Sequence, residues 1–267
     1  MTFDGRLLGG IGVLAAVVET GNFVRAGDAL GLTPSGVSRA VARLWMKPLT
    51  VTANERLANR FHLITLEGRA LQDVTWRPGQ KVQIAMGSAF VTRTYTPIEW
   101  NASTGRVCIL GYAHGDGPGS TWVRTAASGD ACDIFGPRAS LDMGGLSGAL
   151  VIVGDETSIG LAYAAARQDA ARLVTSCFEV EDAAAAQQVA TSLDLKGVSL
   201  VARRADGAHI AALEASLSDA VAAGSAFVLT GKAATIQTLR QSLRQRSVST
   251  TRLVTKAYWA PGKTGLD

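Results

Sequence analysis

The chain has 267 residues, room for two domains or three small ones, and with 47% apolar and 18% charged residues it reads as globular rather than disordered. Its net charge of +4 favours anionic partners such as a dinucleotide, an anionic metal chelate or DNA. Three scattered cysteines and three isolated histidines exclude a protein-built metal site and a disulfide framework, and no apolar run reaches the ~20 residues of a membrane span.

Residues 5–46 read as three helices. Leu7, Ile11, Leu14, Ala15 and Val18 recur at helical spacing until Gly21-Asn22 stops them. Asp4 before this stretch and Glu19 after it do not make a secretory leader, and with the sparse cysteines the expected compartment is the cytoplasm. Phe23–Leu30 forms a short second helix ended by Gly31. Thr33 then caps a third helix with Pro34 at its first position. Two helices around the turn Gly31-Leu32 give a helix-turn-helix signature, and Arg39, Arg43 and Lys47 at i, i+4 and i+8 predict one cationic stripe.

The period changes to two after Lys47-Pro48. Leu49 and Val51, then His62, Ile64 and Leu66, then Val82 and Ile84, then Val107 and Ile109 alternate between turn clusters. Short strands at that spacing predict a small antiparallel β-barrel. Within it, Arg93-Thr94-Tyr95-Thr96 offers a cation, an aromatic face and two hydroxyls along one strand. The glycine-rich turn His114-Gly115-Asp116-Gly117-Pro118-Gly119-Ser120 follows closely, able to bring bare backbone N–H groups against a pyrophosphate. Together the two elements suit a flavin dinucleotide. Taken alone, Tyr95 also reads as a barrel-core residue and Arg93 as a surface charge.

Beyond Gly144-Gly145 strands and helices alternate. Strands are expected at 149–153, 173–180, 198–202, 226–230 and 252–258. Helices are expected from Thr157 to about Ala171 and at 182–193, 208–222 and 233–244. That alternation predicts an α/β domain with a parallel sheet whose ligands bind at the carboxyl ends of its strands. Gly154 ends the first strand and Thr157 opens a helix, a natural phosphate site for a nicotinamide dinucleotide. The acidic pair Asp155-Glu156 would repel a phosphate placed against it, so the nucleotide would lie to one side.

Arg-Thr-Tyr-Thr at 93–96, the glycine-proline turn at 114–122, Trp76-Arg77-Pro78-Gly79-Gln80, Gly154-Asp155-Glu156-Thr157 and the terminal Tyr258-Trp259 with Gly262 carry a resemblance. Over residues 49–263 the chain resembles the siderophore-interacting proteins, flavin-dependent ferric-siderophore reductases of the ferredoxin-reductase superfamily. The resemblance implies FAD and NADPH or NADH as cofactors and a ferric siderophore or ferric chelate as substrate. Iron would be released as Fe(II), with flavin-borne chemistry and no catalytic side chain. It implies that Arg93 pairs with the flavin pyrophosphate, Thr94 and Tyr95 line the flavin, and Thr96 offers its hydroxyl near the reactive edge. Gly117, Pro118, Gly119 and Ser120 would complete the phosphate cradle, with His114 hydrogen-bonded inside that loop. Arg203 would receive the 2′-phosphate of NADPH, or else be a solvated strand end; Leu200 and Ala202 depart from the family pattern beside it. Lys256 and Lys263 would meet the anionic chelate, although Ala260-Pro261-Gly262 departs from the family's Arg-Arg-Gly.

Residues 7–44 resemble the helix-turn-helix of LysR-type regulators through Val17-Val18-Glu19-Thr20-Gly21-Asn22-Phe23 and the run from Ala29 to Arg39. That resemblance implies DNA contacts from Thr33, Ser35, Ser38, Arg39 and Arg43. The match stops at Leu44, before any wing or dimerisation helix, and Gly36 stands where the family has alanine. Either the segment reads DNA or it is a helical cap on the reductase. The expected organisation is a helix-turn-helix at 1–46, an FAD-binding barrel at 47–143 and an NAD(P)-binding α/β domain at 144–267. A flavin- or siderophore-sensing transcriptional regulator is the alternative to the enzyme.

Overall fold

The computed structural model describes residues 10–86 and 91–263, with side chains omitted at 39, 42 and 43. Leu7 therefore lies outside the described residues, as do the side chains of Arg39 and Arg43.

Three helices open the chain: α1 (Gly10–Thr20), α2 (Phe23–Leu30) and α3 (Pro34–Arg43). The Asn22 side chain caps α2 by accepting from the Arg25 amide at 2.8 Å, and Gly31 leaves the helix in the left-handed region at φ +64. Thr33 caps α3, its Oγ1 accepting from the Gly36 amide at 3.1 Å. The turn is tight because a Cβ on Gly27 would stand 2.6 Å from the Leu32 carbonyl oxygen. Val13, Ala26 and Val37 form a small core of their own. The predicted cationic stripe loses one member: α3 ends at Arg43, and Lys47 opens the first strand, donating to the Gly136 carbonyl at 3.0 Å.

Seven antiparallel strands follow. They are β1 (Lys47–Ala58), β2 (Phe61–Glu67), β3 (Lys81–Ala85), β4 (Thr92–Tyr95), β5 (Pro97–Asn101), β6 (Arg106–Tyr112) and β7 (Ala131–Arg138). Their order is β4-β3-β7-β1-β2-β6-β5. The sheet curls in barrel fashion without closing: the edges β4 and β5 are joined through Thr96 and are not paired with each other. The alternating residues Leu49, Val51, Ile64, Leu66, Val82, Ile84, Val107, Ile109 and Ile134 fill its interior, as a period of two requires.

Between β6 and β7 the glycine-rich turn runs into a helix, α4 (Pro118–Thr125). Pro118 at its first position was the signal for it.

The last part is a five-stranded parallel sheet of β8 (Leu150–Asp155), β9 (Val174–Val180), β10 (Val198–Ala202), β11 (Ala226–Lys232) and β12 (Leu253–Trp259), ordered β10-β9-β8-β11-β12. Helices α5 (Ile159–Gln168), α6 (Ala183–Ser192), α7 (His209–Ser216), α8 (Ser218–Ala222) and α9 (Ala233–Gln245) cover it. The single helix expected over 208–222 is two, broken at Leu217, where the Ser216 hydroxyl has turned back onto the Leu213 carbonyl at 2.7 Å. Val151 and Val153 of β8 pack toward α7 and α9. Leu150 and Ile152 face the other way, into a cluster that includes Ala58 and Phe61 of the first sheet. Among the described residues no helix is long and apolar enough to cross a membrane.

Candidate functional site

The flavin-type motifs meet in space. Arg93 and Tyr95 stand on the edge strand β4, opposite Ile84 and Val82. The Tyr95 hydroxyl donates to the Gly119 carbonyl in the first turn of α4 at 3.2 Å, and its ring lies 5.5 Å from that of Trp122. Burial drives the Tyr95 phenol pKa upward, so this hydroxyl stays a donor. Gly119 is what lets strand and helix approach: a Cβ there would sit 3.0 Å from Arg93 Cγ and 3.1 Å from the Tyr95 hydroxyl. No side chain caps the N-terminus of α4, and Gly115 and Gly117 have open space where a Cβ would stand. The buried Ser120 hydroxyl accepts from the Gly115 amide at 3.3 Å and fixes the loop.

Arg93 is half-buried, donates to its neighbour Thr92's carbonyl at 2.7 Å and has no carboxylate partner among the described residues. A cation without a counter-ion beside uncapped helix amides is the donor set a pyrophosphate requires; the residues present fit FAD. Thr94 is exposed on the same strand. Thr96 lies within reach of the Tyr258 hydroxyl, which also approaches Thr230 and whose pKa burial raises to about 12. His114 differs from expectation: it is exposed, 6.4 Å from the Tyr112 ring, and among the described residues has no hydrogen bond in the loop.

The carboxyl end of β8 is also not as expected. Thr157 donates both its amide, at 2.9 Å, and its hydroxyl to the Asp155 carboxylate, so the phosphate donors sought there are occupied by the chain's own anion. Gly154 serves packing: a Cβ would lie 2.2 Å from the Ser158 hydroxyl and 2.7 Å from the Thr230 carbonyl. The other Asp155 oxygen accepts from the Trp259 indole at 2.7 Å, tying β12 to β8. Lys232 Nζ sits 5.9 Å from that indole's ring centre.

Burial pushes the Asp155 carboxyl up to about 6, against the hydrogen bonds from Thr157 and Trp259 that hold it down. Between pH ~4 and 6 the folded protein therefore keeps a proton that the unfolded chain has shed. Stability falls as pH rises through that window and levels off above it. The stability difference between wild type and Asp155→Asn should shift by up to about 3 kcal/mol across this window. Denaturant midpoints of both proteins from pH 4 to 7 measure it, and a pH-independent difference would refute the assignment.

Sequence reasoning missed a buried cluster beneath the next strand ends. Glu179, fully buried in β9, accepts from Thr235 Oγ1 at 2.6 Å and from His209 Nε2 at 2.7 Å. The His209 tautomer is set by the Arg204 amide, which donates to Nδ1 at 3.2 Å and leaves the hydrogen on Nε2. Arg203 donates to Glu156 at 2.8 Å, with its Nε 3.7 Å from Glu179, so it is no free strand-end cation. The one signal was a glutamate inside an otherwise uncharged strand.

Above this cluster opens a cleft of about 490 Å³ lined by Glu181, Arg203, Arg204, His209, Lys232 and Thr235, among others. It runs along the carboxyl ends of β9, β10 and β11, where doubly wound sheets take their ligands.

On β12, Val254 packs into the cluster shared with the first sheet. Lys256 follows on that same face by alternation, and Tyr258 sits at the register shift between Ala257 and Trp259, within reach of Thr96. Lys263 is exposed in the turn beyond, its amide donating to the Ala260 carbonyl at 3.2 Å. Thr33 and Ser35 are exposed at the start of α3, their hydroxyls 3.1 Å apart, and Ser38 is half-buried. Among the described residues no cluster of metal-ligating side chains occurs.

A curled antiparallel sheet followed by a parallel sheet of this order is a fold shared with the ferredoxin reductase of a carbazole 1,9a-dioxygenase (17% identity, TM-score 0.62, 80% of this chain and 69% of that one). It is also shared with the FAD/NAD-binding domain of a nitric oxide dioxygenase from Vibrio cholerae (16% identity, TM-score 0.62, 80% of this chain and 99% of that one). From residue 83 to residue 262 the chain belongs to the siderophore-interacting protein family. Residues 83–141 match the model of its FAD-binding domain, and residues 148–262 match the siderophore-interacting protein model. Residues 8–45 match the bacterial regulatory helix-turn-helix of the lysR family.

Similar folds include the siderophore-interacting protein of Aeromonas hydrophila (22% identity, TM-score 0.65, 82% of this chain and 93% of that one). A siderophore utilization protein from T. fusca is also similar (20% identity, TM-score 0.62, 83% and 95%). None of the curated proteins compared with the chain matches it.

Proposed function

We propose that the protein is an FAD-dependent NAD(P)H:ferric-siderophore reductase that releases iron as Fe(II). The observation that carries this reading is Arg93, which has no carboxylate partner among the described residues and stands beside the uncapped α4 amides, where Tyr95 of the same strand is bonded to Gly119. When bound, FAD supplies the conversion of a two-electron hydride into the single electrons that Fe(III) accepts. Arg93 and the α4 amides hold the pyrophosphate, while Tyr95 keeps strand and helix in register. Thr96 and Tyr258 place two hydroxyls where the edge of the first sheet meets β12. The cleft over β9–β11 takes the nicotinamide dinucleotide, and Lys256 and Lys263 draw an anionic ferric chelate toward the barrel-facing side of β12. The three cysteines are buried and unpaired, which suits a reducing cytoplasm.

The purified protein should show a flavin absorption spectrum and oxidise NAD(P)H in step with Fe(II) captured by a ferrous chelator. A colourless protein that takes up no FAD sinks the reading. One observation favours a second reading, a regulator: α2, the Gly31 turn and α3 form a helix-turn-helix whose second helix would lie in the major groove. That reading requires salt-sensitive binding to a palindromic operator, lost in Arg39→Ala, and iron-chelate turnover without DNA binding speaks against it.

A further inference from the structure

The cleft over the parallel sheet holds its cations unequally, and that bears on which dinucleotide it takes; the argument rests on the reductase reading. In the order β10-β9-β8-β11-β12, Arg203 and Arg204 follow the outermost strand β10, and Lys232 ends β11. Three strand spacings separate them, roughly 14 Å. A dinucleotide crosses such a sheet with its pyrophosphate near the central strands and its adenosine toward the β10 end. Lys232, with no carboxylate partner among the described residues, therefore lies where the pyrophosphate common to NADH and NADPH would pass. A 2′-phosphate would fall at the other end.

At that end every guanidinium is already matched to a carboxylate. Arg203 donates to Glu156 at 2.8 Å and lies 3.7 Å from Glu179, and both carboxylates are buried. Arg204 pairs through two nitrogens with Asp206, at 3.2 and 3.0 Å. Arg60, which reaches over from the β1–β2 turn, pairs with Glu181 at 2.8 Å. A phosphate dianion placed here would meet fixed anions about as close as any cation. Glu181 itself, at the end of β9 and more than half exposed, suits the diol of an unmodified ribose, since a carboxylate accepts from hydroxyls and repels a 2′-phosphate.

We infer that the cleft selects NADH over NADPH, with Glu181 as the discriminating acceptor and the Arg203–Glu156 and Arg204–Asp206 pairs withholding the cations a 2′-phosphate needs. Calorimetric titration of the full chain with ADP-ribose and with 2′-phospho-ADP-ribose reads this without flavin chemistry. ADP-ribose should bind at least about tenfold tighter, and NADH should exceed NADPH similarly in kcat/KM for flavin reduction. Asp206→Asn frees Arg204 at an exposed position while keeping the acceptor for the Ala208 amide. It should narrow the gap by about fivefold, as should Glu156→Gln. Equal or tighter binding of the phosphorylated probe by wild type overturns the inference and leaves the reductase reading standing if Fe(II) still forms. Binding of neither probe, with neither nucleotide oxidised, removes the reading and the inference together.

Discussion

Replacing Glu179 by alanine is expected to cost about 3–5 kcal/mol of stability. The carboxylate is fully buried in β9 and accepts from His209 Nε2 and Thr235 Oγ1 at 2.7 and 2.6 Å. It is also one of the two anions beside Arg203, whose buried Nε has no hydrogen-bond partner of its own. Truncation leaves an imidazole N–H, a hydroxyl and a guanidinium facing a void, and each stranded donor costs about 1–3 kcal/mol. Glu179→Gln keeps one acceptor oxygen and should lose roughly half as much. Urea midpoints followed by circular dichroism decide it. An alanine variant within about 1 kcal/mol of wild type would show that solvent or a rearranged side chain replaces the carboxylate.

The second large effect is on the flavin. Arg93→Ala should weaken FAD binding by about 10- to 100-fold, the worth of a charge-assisted hydrogen-bonding fork to phosphate. The fold should be untouched, because among the described residues the side chain's internal hydrogen bond is to its neighbour, the Thr92 carbonyl. Arg93→Lys restores the charge but not the planar fork and should recover only part of the loss. Titration of the apoprotein with FAD by fluorescence quenching, alongside circular dichroism, separates binding from folding. Undiminished affinity would put the pyrophosphate elsewhere.

What could be read in the sequence was local. Asn22, Gly31, Thr33 and Pro34 marked the helix ends because capping is settled within three or four residues. The alternation at Leu49–Val51 and Ile64–Leu66 gave the first sheet, and the strand-helix alternation gave the second. Arg93 and Tyr95 were legible as a motif, and so was the glycine turn that meets them.

What could not be read depends on partners far apart in the chain. His209 and Thr235 are 30 and 56 residues from Glu179, and Trp259 is 104 residues from Asp155. No periodicity encodes such pairs. Thr157 and Arg203 show the same limit from the other side. Thr157 reads as a helix start and Arg203 as a strand end, but Thr157 lies in a short turn before α5 and the donors of both are taken by Asp155 and Glu156, which sequence spacing alone does not reveal. Lys47 fell at helical spacing from Arg43 and yet starts a strand, because Pro48 favours an extended residue before it.

The packing of Phe61 carries one more consequence. This ring, with Ala58, sits in the same cluster as Leu150, Ile152, Phe178 and Val180 of the parallel sheet. The core of the three-helix segment, Val13, Ala26 and Val37, draws on its own helices alone. The flavin and nucleotide halves, separate modules by motif, are thus bound into one cooperative unit. The helix-turn-helix packs as a cluster of its own. The two sheets thus share one hydrophobic cluster, while the three helices keep another.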